Sequence, residues 1–118
     1  MGIFSQRITV SDLTGKNSVE IDAVVDTGAF YSVLPRYMLR ELGVEPIDRV
    51  PFRLADNQPL EMEIGYIWIT LGDRRRITTV AFGSDTGQLL LGAFTLEGLE
   101  LAVDPRGRRL VPIEYLPA

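Results

Sequence analysis

Hydrophobic and polar residues alternate over most of this chain. Ile3, Ile8 and Val10 give the apolar positions of a first strand over residues 2–10, and Val19, Ile21 and Ala23 alternate with Glu20 and Asp22 in a second. Period two sends successive side chains to opposite faces of a half-buried strand, and the wholly apolar Val24-Val25 marks where this strand becomes buried on both faces. Between the two lies Ser11-Asp-Leu-Thr-Gly-Lys-Asn17, a cluster of turn formers that reads as a hairpin loop. The alternation returns with Val50, Phe52 and Leu54, turns at Ala55-Asp-Asn-Gln-Pro59, and runs back through Leu60, Met62 and Ile64 against Glu61 and Glu63. That is a long hairpin with Asp56-Asn57 at its tip, Asn57 being the residue there that best accepts a left-handed backbone. Tyr66–Leu71 and Ile77–Phe82 are two further strands, with Tyr66 and Trp68 assigned to one face as barrel wall. Leu99, Leu101 and Val103 flank Glu100 on the way to Asp104-Pro-Arg-Gly107, and Arg109-Leu-Val-Pro112 closes a last hairpin.

The period changes once clearly. From Pro35 to Gly43, Met38, Leu39 and Leu42 share one face at helical spacing, with Pro at a plausible first helical position and Gly just past the end. A short packed helix is expected, with Met38 in the core.

Composition narrows the chemistry. The chain has 118 residues, read as one domain over 1–118, with 46% apolar residues and a mean hydropathy of +0.12. That supports a compact fold, and the length is short for a two-lobed enzyme. It contains neither Cys nor His, so thiol nucleophiles, Ser-His-Asp triads, thiolate zinc sites and imidazole metal clusters cannot be built within it. Carboxylates are what remains for catalysis, and no metal or cofactor is implied. The missing Cys fits a reducing compartment, read as cytoplasmic. No apolar run is long enough to span a bilayer, so no membrane association is expected. The net charge of −4 argues against nucleic acid as partner, because phosphate binding draws on basic surface. The basic residues are eleven Arg and one Lys. Arg74-Arg75-Arg76 and Arg106, Arg108, Arg109 sit beside turn signals and are assigned to solvated hairpin tips.

One carboxylate stands apart. Asp26 follows Val24-Val25 and precedes Thr27-Gly28-Ala29, after which Phe30-Tyr31-Ser32-Val33-Leu34 is mostly apolar again. An ionised Asp set between buried flanks costs several kcal/mol unless it is paired or hydrogen-bonded. Gly28 permits close backbone approach there, and Thr27 adds a short hydroxyl. A bland use of the same residues, with Asp26 merely capping a turn, stays open at this point. Ser84-Asp85-Thr86-Gly87 repeats the tripeptide. Its Asp85 follows Gly83-Ser84 instead of an apolar pair, so this copy reads as a solvated loop and an internal Asp26–Asp85 dyad is rejected.

The stretch Ala23-Val-Val-Asp-Thr-Gly-Ala29 resembles the active-site motif of the retropepsin-like aspartic proteases. Leu89-Leu-Leu-Gly-Ala-Phe94 is similar to that family's second motif, an apolar run and Gly beneath the active-site turn, and the order of elements between them also matches. The resemblance implies an all-β fold, a closed six-stranded barrel of acid-protease type with one or two short helices. It also implies an aspartic endopeptidase acting on a peptide or protein substrate. A chain with one credible catalytic Asp meets the need for two by forming a C2 homodimer that sets Asp26 against its symmetry mate. Two such carboxylates share a proton, aspartic proteases being the worked example of coupled acids. One then activates water and the other protonates the carbonyl. The resemblance gives Thr27 a hydrogen bond across the axis, Gly28 close backbone approach, and Ala29, Asp56 and Asn57 contact with substrate, the last two on a hairpin flap. In such relatives interleaved termini hold the dimer, and Gly2-Ile3-Phe4 and Ile113-Glu-Tyr-Leu-Pro117 are the candidate strands. The alternative is a non-catalytic peptide-binding or oligomerisation module of the same fold.

Overall fold

The structure, a computed structural model, describes residues 4–53 and 56–113. Within them lie β1 (Ser5–Ser11), β2 (Ser18–Val25), β3 (Ser32–Pro35), α1 (Arg36–Leu42), β4 (Asp48–Arg53), β5 (Pro59–Leu71), β6 (Arg74–Gly83), β7 (Leu90–Leu91), α2 (Ala93–Gly98), β8 (Leu101–Asp104) and β9 (Arg109–Pro112). The main sheet runs β1-β2-β7-β3-β6-β5-β4, and a further β1–β5 pairing, Val10 opposite Ile69, bends it back on itself. Six strands therefore close a ring, and β4 hangs outside it as the edge partner of β5. Closure of this kind removes exposed sheet edges.

Local sequence explains most of the ring. β1 and β2 form an antiparallel hairpin with Ile8 opposite Ile21 and Val10 opposite Val19. Its loop is organised by Asp12, whose carboxylate accepts the Thr14 hydroxyl at 2.6 Å and the Asn17 N–H at 3.2 Å. α1 stops at Gly43, which adopts φ 84° and donates its N–H to the Arg40 carbonyl. Pro35 closes β3 and helical backbone starts at Arg36, one residue later than the sequence suggests. Leu39 and Leu42 are buried, and Met38 packs on the core from its margin.

Val10, Ala23, Leu34, Ile67, Ile69, Val80 and Leu91 fill the interior at 2% exposure or less. On β5 the inward face is thus Ile67 and Ile69, and the assignment of Tyr66 and Trp68 to the barrel wall is corrected. Tyr66 is 44% exposed. Trp68 lies partly buried, donating its indole N–H to the Leu13 carbonyl at 3.1 Å beneath the Arg75 guanidinium, 3.8 Å from the ring centroid. All four residues of Tyr66-Ile-Trp-Ile69 are apolar enough to face a core, and the aliphatic pair fills the narrow interior. The Arg run is corrected too: Arg74 is half-buried and donates to the carbonyls of Leu99 and Glu100 at 2.6 and 2.9 Å, closing the end of α2.

The expected long hairpin is present as β4 and β5, paired from Asp48–Ile64 to Arg53–Pro59. Asn57 takes φ 68° at its turn. Leu54 and Ala55 lie outside the described residues, as do residues 1–3 and 114–118, which include most of the two candidate dimer strands. Of the candidate dimer strands 2–4 and 113–117 only Phe4 and Ile113 are described: the Phe4 carbonyl accepts the Val25 N–H, and the Ile113 N–H donates to the Glu100 carbonyl.

Candidate active site

Asp26 leaves the end of β2 just where that strand pairs in parallel with β7, Val24 opposite Leu90 and Val25 opposite Leu91. Its N–H donates to the Leu91 carbonyl at 3.0 Å, extending the ladder by one rung. The chain then turns: the Ala29 N–H donates to the Asp26 carbonyl at 3.2 Å, and the Gly28 N–H donates to Asp26 Oδ1 at 2.9 Å. Asp26 and Ala29 are half-buried, while Thr27 and Gly28 are exposed. A carboxylate that accepts a backbone N–H on one oxygen keeps the other for an external donor. Among the described residues its carboxylate has no second partner.

The turn rests on a second layer. Ala93 and Phe94, the first residues of α2, donate their N–H groups to the carbonyls of Ala29 and Phe30, each at 2.9 Å. Gly92 makes this approach possible, since a Cβ there would stand 2.6 Å from both the carbonyl carbon and oxygen of Tyr31. Below it three buried hydroxyls form a chain: Ser32 to Thr95 at 2.6 Å and Thr95 to Thr78 at 2.8 Å, with the Gly92 N–H donating to Ser32 Oγ at 3.0 Å. The chain ties β3, α2 and β6 together under the turn. No buried side-chain polar atom among the described residues is left without a partner.

No protein-family model and no curated protein matches this sequence. Solved structures do match the fold. The EIAV protease, solved with the inhibitor HBY-793, has a TM-score of 0.59 at 19% identity over 93% of this chain and 93% of that one. The simian foamy virus (mac) protease has a TM-score of 0.53 at 16% identity over 78% of this chain and 92% of its own. This chain has the retropepsin-like fold. A protein of unknown function (DUF785) from Legionella pneumophila is also similar, with a TM-score of 0.56 at 17% identity over 93% of each chain.

Within this retropepsin-like fold the sequence-derived residues fall into two groups. Asp26, Thr27, Gly28 and Ala29 share one hydrogen-bonded turn. Asp56 and Asn57 stand exposed at the far end of the β4–β5 hairpin, where Asp56 Oδ1 accepts the Gln58 N–H at 3.1 Å and the Asn57 carbonyl accepts Arg53 Nη1 at 3.2 Å. The described link from hairpin to turn runs instead through Phe52, whose ring lies 6.1 Å from that of Tyr31. Asp85 is occupied elsewhere: its carboxylate accepts the Tyr37 N–H at 3.0 Å, satisfying one of the free donors in the first turn of α1. The sequence reading missed the Ser32–Thr95–Thr78 chain. A hydroxyl inside the apolar run Tyr31–Leu34 was its one visible signal, and its partners come from distant elements.

Proposed function

We propose that the protein is an aspartic endopeptidase that works as a C2 homodimer, with one Asp26 from each copy forming the catalytic pair. The observation that carries this reading is the Asp26 turn: a half-buried carboxylate with one oxygen held by Gly28, on a turn braced by hydrogen bonds from Asp26 to Leu91 and from Ala93 to Ala29. A turn that merely needed a cap would not require a second layer to fix its height. The solvent-facing Thr27 is free to bond to its mate across the axis, as Gly28 is to admit backbone close to the pair.

In the dimer, two like carboxylates at hydrogen-bond range hold one proton between them. The ionised member takes a proton from a water lodged between the two. That water attacks the peptide carbonyl carbon while the protonated member donates to the carbonyl oxygen. Collapse of the tetrahedral species breaks the C–N bond: the carboxyl that took the water's proton passes it to the leaving nitrogen, a diol hydroxyl returns a proton to the other carboxylate, and the pair again holds one proton with no covalent intermediate. The β4–β5 hairpin with Asp56 and Asn57 at its tip covers the bound peptide, and Ala29 meets its backbone.

Incubating a mixed peptide library with wild type and with Asp26→Asn, each shown by sedimentation to be dimeric, tests the reading between about pH 3.5 and 7. Products that form with wild type and vanish with the variant are expected. A dimeric wild type that cuts nothing would transfer the fold to the role of a non-catalytic peptide-binding module.

A further inference from the structure

The outer face of β5 and β6 carries an apolar patch that the hydrolytic mechanism does not use. Tyr66 and Trp68 lie on that face of β5, and Ile77 stands directly opposite Trp68 on β6, hence on the same side of the sheet. On its other flank β5 has a gap in its pairing, because β4 leaves it at Ile64 and β1 joins it only at Trp68. In this gap lies a recess of about 170 Å³ whose apolar lining is Leu13, Val44, Ile47 and Tyr66. Leu13, Ile47, Tyr66 and Ile77 are each between 44% and 55% exposed. Single exposed apolar residues are ordinary, but a contiguous group around a Trp marks a contact surface. The patch is remote from Asp26: Ser5 of β1 pairs with Val24 beside that turn, and Ser11 pairs with Trp68, which sets the two sites about 20 Å apart along the strand.

Charge points to what covers it. Glu45 lines the recess and lies against Gly65, its carbonyl oxygen 2.9 Å from where a Cβ would stand there. Arg75 marks the other end, opposite Thr70, with its guanidinium over the Trp68 ring. Both are exposed, and neither has an ion-pair partner among the described residues. Gly65 and Thr70 are roughly 17 Å apart along β5, so opposite charges stand at opposite ends of one apolar strip. A two-fold axis lying across the strip between those ends turns one copy face-down on another. Arg75 of each copy then meets Glu45 of its mate, and the exposed Ile77 of each is carried toward the other's recess on its Ile47 side. A surface that is acidic and hollow at one end, basic and apolar at the other, is self-complementary, which is what an isologous contact requires.

We propose that the outer face of β5 and β6 is a second self-association surface, on which another copy of the chain docks by the same face and joins Asp26-paired dimers into tetramers. The strip is small, and contacts that bury less than about 1,200 Å² in total belong to the weak, transient class. The tetramer therefore forms at high concentration and the Asp26 pair persists below it. The two contacts use separate parts of the chain, so this one stands or falls without the catalytic reading.

Trp68 is the chain's single tryptophan, so its emission reports on this face alone. Emission and sedimentation of the whole protein are followed from about 1 μM to about 1 mM. With rising concentration the emission is expected to move to shorter wavelength as the indole loses water, and the mass to climb from two chains to four. Ile47→Asp and Ile77→Asp, both at exposed sites, place a carboxylate in the contact and are expected to weaken it about tenfold or more. Glu45→Arg and Arg75→Glu, read by sedimentation because Arg75 touches the indole, are each expected to weaken it about fivefold. The double change Glu45→Arg/Arg75→Glu restores the opposite charges and is expected to bind more tightly than either single variant. Emission that stays flat over the whole range, a shift untouched by both Ile substitutions, or a double variant no tighter than the singles would each overturn the proposal. Failure of the catalytic reading looks different. Wild type that cuts as a dimer with flat Trp68 emission overturns this face alone, whereas wild type that never cuts, stops at two chains and shows the shift overturns the Asp26 pair and supports this face.

Discussion

Replacing Thr95 by Val removes one oxygen from beneath the Asp26 turn and leaves the shape of the side chain almost intact. Thr95 is 1% exposed, and Ser32 and Thr78 are 3% and 4% exposed, so water cannot step in for the missing hydroxyl. Two hydrogen bonds disappear, the 2.6 Å contact with Ser32 and the 2.8 Å contact with Thr78. At a net ~1 kcal/mol each, plus the cost of a hydroxyl left without its partner, the expected loss is about 2–4 kcal/mol. That is a sizeable share of the ~5–15 kcal/mol that holds a domain together. Ser32 keeps the Gly92 N–H, which is why a folded variant is expected. Urea unfolding at one fixed protein concentration reads the effect, since self-association of the kind proposed makes stability depend on concentration. Thr95→Ser, which restores the oxygen, is expected to recover most of the loss, and the double change Thr78→Val/Thr95→Val to cost less than the sum of its parts. A loss below about 0.5 kcal/mol for Thr95→Val would refute the claim that these hydroxyls brace the turn.

Gly92→Ala drives a Cβ to 2.6 Å from backbone atoms of Tyr31 and is expected to cost about 3 kcal/mol, whereas Gly98→Ala, with open space around it in α2, should leave stability unchanged or raise it by up to ~0.5 kcal/mol; the urea midpoints of the pair decide. The Thr14 hydroxyl, and after it the N–H groups of Asn17 and Gly15, hold the Asp12 carboxyl below the ordinary Asp range against an opposing burial effect. Gly107 and Arg106 N–H groups, with Arg109, do the same for Asp104. A group depressed in the folded state adds stability that is fully present above its unfolded value, about pH 4, and is lost as pH falls through the folded one. Asp12→Asn is therefore expected to flatten the decline of the urea midpoint below about pH 4, and an unchanged slope would contradict the assignment.

What was legible in the sequence was mostly local. The Val19–Val25 alternation fixed both the β2 strand and the delivery of Asp26 to its end, because each side chain there has a single possible face. Gly43 announced the end of α1 and Asn57 the turn of the long hairpin, since few residues accept those backbone angles. The second Asp-Thr-Gly could be set aside from its flanks alone. Illegible were features made by distant partners. Leu90-Leu91 became a strand only because it slots between β2 and β3. The phase of β5 was ambiguous because Tyr66, Ile67, Trp68 and Ile69 are all apolar, and ring closure against β1 settled it in favour of the Ile pair. Arg74 looked like one of three surface cations until the end of α2 supplied two carbonyls for it.

The most direct test of the shared Asp26 pair is mixing. Asp26→Asn is added to a fixed amount of wild type, subunits are allowed to exchange, and peptide cleavage is followed. A pair drawn from two copies is disarmed in every mixed dimer, so an equal amount of variant is expected to lower the rate to about half. A rate that stays unchanged after exchange has been verified would mean that each chain cuts with its own site, and would contradict the account.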